Sequence, residues 1–369
     1  MASARLDDYF DPLAKADELI KAGKADAAVD LLEAVHATGR GGILLQRARV
    51  TARIAEGQVE IALAIASEAA AMYPDVATMA VTLGEALLAN NHLATAIGEF
   101  QRALRIDPDS LEARTFLGIA WLEAGEADKA ADEFAKLPEE AAGLPAIAAK
   151  LADIEAMRAR PRSDARYVRH LFDQFSADYD QRMIGQLGYG APQILRGLAD
   201  LIGLLYRDPL AILDLGCGTG LSGAAFFDLA SRLDGIDLSP AMVEKARARG
   251  IYDDVRVGDI ETAVGDAVYD LVLAADALVY LGDLEPVFRA AGRALVPGGT
   301  FLFTVERKDG DGYELGPKRR WRHSETYLRR MAGEAGFDVA GFLECSPRSE
   351  AGVPVEGYAV ALALAEKVG

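Results

Sequence analysis

Two cysteines in 369 residues, Cys217 and Cys345, are too few for a disulfide framework, and they show no metal-ligand spacing. A reducing, cytoplasmic setting is the expectation. Positive charge is also scarce: 39 Lys+Arg stand against 57 Asp+Glu, net −18. Residues 1–160 hold 16 basic and 26 acidic residues and the remainder 23 and 31, so both halves are acidic. Neither half offers the broad basic face a phosphate backbone needs, which disfavours general nucleic-acid binding. No apolar run reaches the length of a membrane span; Arg196 and Asp200 interrupt the best candidate. The first residues, Met1-Ala-Ser-Ala-Arg-Leu-Asp-Asp8, turn acidic without an apolar core, so no secretory signal is expected. What is present is ordinary globular material, 51% hydrophobic and 26% charged. At about 150 residues per domain it makes two domains or one large one.

The first half repeats. Segments beginning at Lys21, Ala55, Ala89 and Glu123 align at a spacing of 34. Gly23, Gly57, Asn91 and Gly125 share one column; Ala28, Ala62, Ala96 and Ala130 share another; Leu32, Ala66, Phe100 and Phe134 share a third. Pro74 and Pro108 recur at the same interval, as do Leu83-Gly84 and Leu117-Gly118. Glycine or asparagine suits a left-handed turn between two helices, and the small residue marks a close helix approach. The large residue is expected to fill the groove between neighbouring repeats. These columns resemble the tetratricopeptide repeat, most closely over 75–138, and imply an all-α solenoid that binds partners. Residues 139–159 read as one capping helix. The polar stretch Arg160-Pro-Arg-Ser-Asp-Ala-Arg166 then reads as a linker, giving domains at 1–159 and 167–369 with 160–166 between them.

The second half alternates. Leu210-AILDL, Leu233-DGID, Val255-RVGD, Tyr269-DLVLA and Thr300-FLFTVE read as strands. Helices are expected over Leu221–Ser231, from Ser239-Pro240 to Arg249, over Asp283–Leu295 and over Ser324–Ala335, with Pro297-Gly298-Gly299 as a turn. Phe337-DVAGFLE and Gly357-YAVALALA close the chain as an antiparallel edge pair. The pattern is that of an α/β doubly wound sheet.

The sharpest motif is Asp214-Leu-Gly-Cys-Gly-Thr-Gly220, between a strand and a helix. Alternating glycines let backbone run against a ligand with no Cβ in the way, at the strand end where such sheets bind ligands. Gly218-Thr-Gly-Leu-Ser-Gly223 satisfies a dinucleotide G-x-G-x-x-G, but Asp237 lies only 14 residues beyond Gly223, short of the interval of about 20 for a ribose-binding acid. From Gly216 the interval is 21, and Asp214 then stands directly before the glycines. A carboxylate there repels a pyrophosphate and suits a ligand with an ammonium and a sulfonium. This register disfavours a nicotinamide oxidoreductase.

With Gly235-Ile-Asp237-Leu-Ser, Gly258-Asp259-Ile260 and Leu295-Val-Pro-Gly-Gly299 following in order, residues 166–369 resemble a class I S-adenosylmethionine-dependent methyltransferase. The whole chain resembles bacterial methyltransferases with an N-terminal repeat array. The resemblance implies a Rossmann-like, seven-stranded sheet and S-adenosyl-L-methionine as cofactor. It implies that Gly216, Cys217, Gly218 and Gly220 line the methionine part, with Asp214 beside its amino group. It further implies Asp237 on the ribose hydroxyls, Leu238 and Met242 flanking adenine, Asp259 and Ile260 at the adenine edge, and Ala275 at the methionine end. Upstream, Leu171, Phe172, Phe175 and Tyr179 share one helical face, which simple packing onto the sheet explains. The resemblance adds a lid over the cofactor, with Phe175 and Tyr179 as contacts, within lid helices spanning 167–205.

The acceptor is less legible. Tyr280, after the fourth strand, and His323, before the last helix, are candidate catalytic or substrate-orienting groups. The end of the lid segment, Gly188-Tyr189, is a candidate substrate contact, expected at position 188. So is the basic run Lys318-Arg319-Arg320-Trp-Arg322-His323, where Arg319 and Arg320 suit an anionic small molecule. Alternatives are a protein or carrier-bound acyl target held by the repeats, or a non-catalytic, cofactor-sensing interaction protein. No metal site is expected.

Overall fold

The computed structural model describes residues 3–39, 41–176, 179–185, 187–266, 268–316, 319–350 and 352–365. Lys318 of the basic run therefore lies outside the described residues. The chain divides into two compact units, Met1–Arg158 and Ala159–Gly369. Among the described residues no helix is long and apolar enough to cross a membrane.

The first unit turns the 34-residue period into helix pairs: α1 (Ser3–Lys21) with α2 (Ala25–Ala37), α3 (Ile43–Glu56) with α4 (Val59–Met72), α5 (Ala77–Ala89) with α6 (Leu93–Ile106), and α7 (Leu111–Glu123) with α8 (Ala127–Phe134). Gly23, Gly57, Asn91 and Gly125 all adopt positive φ, between 62° and 84°, in the turn within each pair. The four column alanines are fully buried. The large column works within a repeat as well as between repeats. A Cβ on Gly84 of α5 would run into the Phe100 ring of α6, while Phe100 also stacks on Phe116 of the next pair at 5.6 Å. Gly118 and Phe134 repeat the first contact at 2.8 Å. The expected single capping helix is two, α9 (Glu139–Ala142) and α10 (Pro145–Ala159), because Gly143 and Pro145 break it.

Gly84→Ala should therefore destabilise this unit by about 1–3 kcal/mol although alanine is the better helix former, since the added methyl meets an aromatic ring in a packed core. Thermal unfolding followed by circular dichroism measures the change. A melting temperature at or above that of the parent would mean that the ring moves aside freely.

In the second unit α11 (Ala165–Phe175), α12 (Tyr179–Gly185) and α13 (Ala191–Leu201) precede the sheet. The central strands are β1 (Leu210–Leu215), β2 (Ala230–Asp237), β3 (Asp254–Val257), β4 (Tyr269–Ala274) and β5 (Leu295–Arg307). β6 (Tyr313–Leu315), β7 (Trp321–His323), β8 (Phe337–Cys345), β9 (Ser349–Glu350), β10 (Val353–Pro354) and β11 (Gly357–Leu364) follow. The main order is β3-β2-β1-β4-β5-β11-β8, parallel through β5 and antiparallel for β11 and β8. The seven expected strands are joined by two short ones: β7 pairs with the end of β5, and β6 pairs with β7. Period-two alternation fills both faces. Leu213, Leu215, Val272, Phe301 and Phe303 pack one side; Ile212, Leu271, Leu273 and Leu302 pack the other.

Three boundaries differ from expectation. α14 (Leu221–Phe226) ends early, because Ala230 is already paired with Leu210 as the start of β2. Leu295–Gly299 is a bulge in β5, not a turn: Tyr269 pairs with Leu295 and Leu271 with Thr300, so Asp270 faces four residues. The basic run is partly strand β7. The remaining helices, α15 (Pro240–Arg249), α16 (Glu285–Ala294) and α17 (Glu325–Glu334), lie close to expectation, with Ser239 and Ser324 capping α15 and α17. The strand order reverses at β1, which opens a crevice at the carboxyl ends of β1 and β4.

Candidate active site

The glycine loop occupies that crevice. Gly216 has φ 67°, and a Cβ there would lie 2.6 Å from the Ala277 side chain, so no other residue fits without displacing the backbone after β4. The loop is tied to β2: the Gly216 N–H donates to the Ile236 carbonyl at 2.8 Å, and the Gly218 N–H donates to Asp237 Oδ2 at 2.9 Å. The other Asp237 oxygen accepts from the Ser239 N–H at 2.8 Å. Each oxygen retains a lone pair for a ligand. Burial pushes the Asp237 carboxyl up to about 6.

A cleft runs from this loop across β4. Gly216, Cys217, Gly218, Asp237, Leu238, Asp259, Ile260, Ala275, Tyr179, Tyr189 and Tyr280 all line it, so most of the residues singled out in the sequence converge. Phe172 stands edge-on to Tyr280 at 5.6 Å and to Tyr179 at 6.0 Å, forming an aromatic wall. Two carboxylates latch the segment carrying that wall. Asp173 accepts from Ser239 Oγ at 2.5 Å, and Asp180 accepts from Thr219 Oγ1 and, at 2.5 Å, from Arg249. Burial raises the Tyr179 and Tyr280 hydroxyls above the ordinary phenol range, so both are neutral. Phe175 closes α11, but its side chain lies outside the described residues.

Other expected residues are placed differently. The contact expected at position 188 is corrected by one residue. Position 188 is Gly188, a backbone turn at φ 54° that has no side chain to offer and does not line the cleft. The tyrosine is its neighbour Tyr189, which does line it and whose hydroxyl donates to the Ala275 carbonyl at 3.2 Å. Asp214 is fully buried behind the loop, not in the cleft: it accepts from the Tyr252 hydroxyl at 2.7 Å and from Ser222 Oγ at 3.0 Å. Burial raises its carboxyl to about 6, and its partners brace the loop. Gly220 also faces away from the cleft, where a Cβ would lie 2.9 Å from the Tyr252 ring. Met242 is fully buried on α15 and does not line the cleft. His323 is fully buried in β7, its Nε2 3.0 Å from the Gly282 carbonyl and its ring stacked on Tyr327 at 5.8 Å. Burial pushes it down to about 4, and packing, not proton transfer, is its observable role.

The basic run is largely neutralised. Arg320 pairs with Glu350 at 2.8 Å, Arg322 approaches Glu306 at 3.6 Å, and Arg319 lies 5.0 Å from the Tyr167 ring centroid. Arg319 and Arg320 are therefore engaged with the protein itself and do not line the cleft.

Two further residues reach the cleft without any local sequence signal. Arg162, from the stretch read as a linker, lines the cleft and bridges Asp259, at 2.9 Å, and Glu261. That stretch is docked by backbone: Pro161 O accepts from the Gly282 and Asp283 N–H groups at 2.7 and 2.9 Å, and the Ser163 N–H donates to Tyr280 O at 2.8 Å. Asp276 lines the cleft at the end of β4. No local spacing announces either residue.

Residues 213–303 match the family model described as a methyltransferase domain. The second unit carries a methyltransferase domain. Residues 47–110 and 87–154 match tetratricopeptide repeat models, which places the repeats in the first unit. A ubiquinone biosynthesis O-methyltransferase from Xanthomonas oryzae is 34% identical over 103 residues, 26% of this chain and 43% of the relative. A malonyl-[acyl-carrier protein] O-methyltransferase from Geobacter sulfurreducens is 32% identical over 158 residues, 40% of this chain and 55% of the relative. The chain thus spans about half the length of these curated relatives. Among solved structures, a magnesium protoporphyrin IX methyltransferase from Synechocystis PCC 6803 aligns with 54% of this chain and 99% of its own length, at 18% identity and a TM-score of 0.44. Asp237, the glycine loop and the β4 end all fall within the matched methyltransferase domain.

Proposed function

We propose that the second unit transfers a methyl group from S-adenosylmethionine to an acceptor bound in the same cleft. The observation that carries this reading is the Asp237 carboxylate facing the cleft across from the glycine loop, inside the matched domain. The residues fit the cofactor. Gly216 and Gly218 present backbone without Cβ to a methionine chain, and Asp237 is an acceptor-only group suited to two vicinal ribose hydroxyls. Leu238 and Ile260 supply apolar faces for adenine. Asp259 keeps acceptor capacity for an exocyclic amine while Arg162 holds its Oδ2. When bound, the cofactor supplies an already activated methyl group, so the protein has mainly to position and enclose. The latched aromatic segment excludes water, and Tyr280 and Tyr189 shape the acceptor side.

The acceptor differs among the relatives, one named for ubiquinone biosynthesis and another for malonyl-carrier protein. The engaged basic run removes the argument for an anionic acceptor. The repeats support a partner-binding or assembly role for the first unit.

Isothermal calorimetry with S-adenosylhomocysteine and with NAD tests the reading. S-adenosylhomocysteine should bind and NAD should not. Tight NAD binding with no S-adenosylhomocysteine signal would overturn it.

The raised Asp237 carboxyl gives a further expectation. Its ionised form accepts both hydroxyl hydrogens, so affinity for S-adenosylhomocysteine should be level above about pH 7 and fall as pH drops through about 6. Asp237→Asn should flatten that profile. An equally steep decline in the variant would assign the titration to another group.

A further inference from the structure

Asp276 is a non-glycine residue held at φ 56°, two residues beyond the end of β4. Aspartate is one of the few non-glycine residues that visit this region, and here the surroundings hold it in place. Its N–H donates to Oγ1 of the fully buried Thr304 at 2.8 Å. Its Oδ1 accepts from Arg348, whose side chain is 0% exposed. Its other carboxylate oxygen has no hydrogen-bond partner among the described residues, and Asp276 lines the cleft between Ala275 and Ala277. Tyr179, Tyr189 and Tyr280 line the same cleft.

The charges behind Asp276 balance. Arg348, Arg320 and Arg322 face Asp276, Glu306 and Glu350, and Arg348 contacts all three carboxylates. No surplus cation is left among these described residues to draw an anion into the cleft. What remains available is an acceptor oxygen beside aromatic rings. Buried acceptors of this kind select ligands that bring a donor and reject those that bring another negative charge.

Resting on the cofactor reading above, we propose that Asp276 is the residue that receives the methyl acceptor, taking a hydrogen bond from a hydroxyl or amine carried on an aromatic or apolar body. Arg348 is its positioning residue: it fixes one oxygen and so aims the other. Carboxylate acceptors are disfavoured by this arrangement.

The test uses the full chain loaded with S-adenosylhomocysteine, and phenol, benzylamine and benzoate as probes, with binding read by ligand-observed NMR. Phenol and benzylamine should bind at least about tenfold more tightly than benzoate, the ratio expected for one charge-assisted hydrogen bond. Phenol against benzylamine then separates a hydroxyl from an amine acceptor. Asp276→Asn keeps the size and tolerates positive φ. It should abolish the preference over benzoate, with S-adenosylhomocysteine affinity within about twofold of the parent and an intact folded spectrum. Benzoate binding as tightly as phenol, no binding by any probe to the loaded protein, or an unchanged preference in Asp276→Asn would each overturn the proposal. Failure of S-adenosylhomocysteine itself to bind would instead overturn the cofactor reading.

Discussion

Arg348→Met should destabilise the second unit by about 3–5 kcal/mol, the cost of breaking a buried ion network from one side. The arginine is completely buried and contacts Asp276, Glu306 and Glu350. Its removal leaves three carboxylates close together. Arg320, 21% exposed, compensates only in part, at 2.8 Å from Glu350 and 3.8 Å from Glu306. For a unit of this size the loss corresponds to a drop of roughly 6–20 °C in melting temperature. Adding Glu306→Gln should recover part of it, because one unpaired charge then disappears. Differential scanning calorimetry of the parent, single and double variants reads both effects. A single variant that melts with the parent would show that the network is dispensable.

Asp237→Ala should weaken S-adenosylhomocysteine binding by about 10- to 150-fold, equivalent to about 1.5–3 kcal/mol for hydrogen bonds to a charged group. Two losses combine. The ribose hydroxyls lose their acceptor, and the Gly218 and Ser239 N–H groups lose theirs, so the loop is no longer held against β2. Asp237→Asn retains the shape and one acceptor oxygen, and should fall between the parent and the alanine variant. Calorimetric titration of the three proteins gives the order, and equal affinities would place the ribose elsewhere.

The parts of this site that follow from short-range pattern were legible in the sequence. The glycine loop, the Asp237 strand end and the Ser239-Pro240 helix start depend on neighbours within a few residues, and each is where its local chemistry puts it. The repeat columns were legible because one packing unit, Gly84 on Phe100, recurs at Gly118 on Phe134. What failed depended on distant partners. Asp214 precedes the glycines as a cofactor-facing acid would, but Tyr252, 38 residues on, turns it inward. The basic run reads as a free cationic loop until β7 pairs with β5, which sets Glu306 against Arg322, and Glu350 of β9 reaches Arg320. His323 reads as a candidate acid–base group, yet the same pairing buries it on Gly282. Arg162 lies in a stretch whose polar composition reads as a linker, and its partner Asp259 is 97 residues away.

Arg162 also bears on where the domain begins. A fragment starting at Arg166 lacks the Arg162 bridge to Asp259 and the Pro161 and Ser163 backbone bonds to 280–283. It should bind S-adenosylhomocysteine more weakly than a fragment starting at Ala159, and calorimetry on the pair decides whether the stretch belongs to the site.

In the proposed function, the cleft between the glycine loop and β4 holds the methyl donor with its ribose on Asp237. A crystal structure of the full chain with S-adenosylhomocysteine tests it most directly. Both ribose hydroxyls should lie within hydrogen-bond distance of the Asp237 carboxylate, with the homocysteine chain along Gly216–Gly218 and the sulfur turned toward Ala275 and Asp276. Ligand density elsewhere, or a ribose that makes no contact with Asp237, would contradict the account.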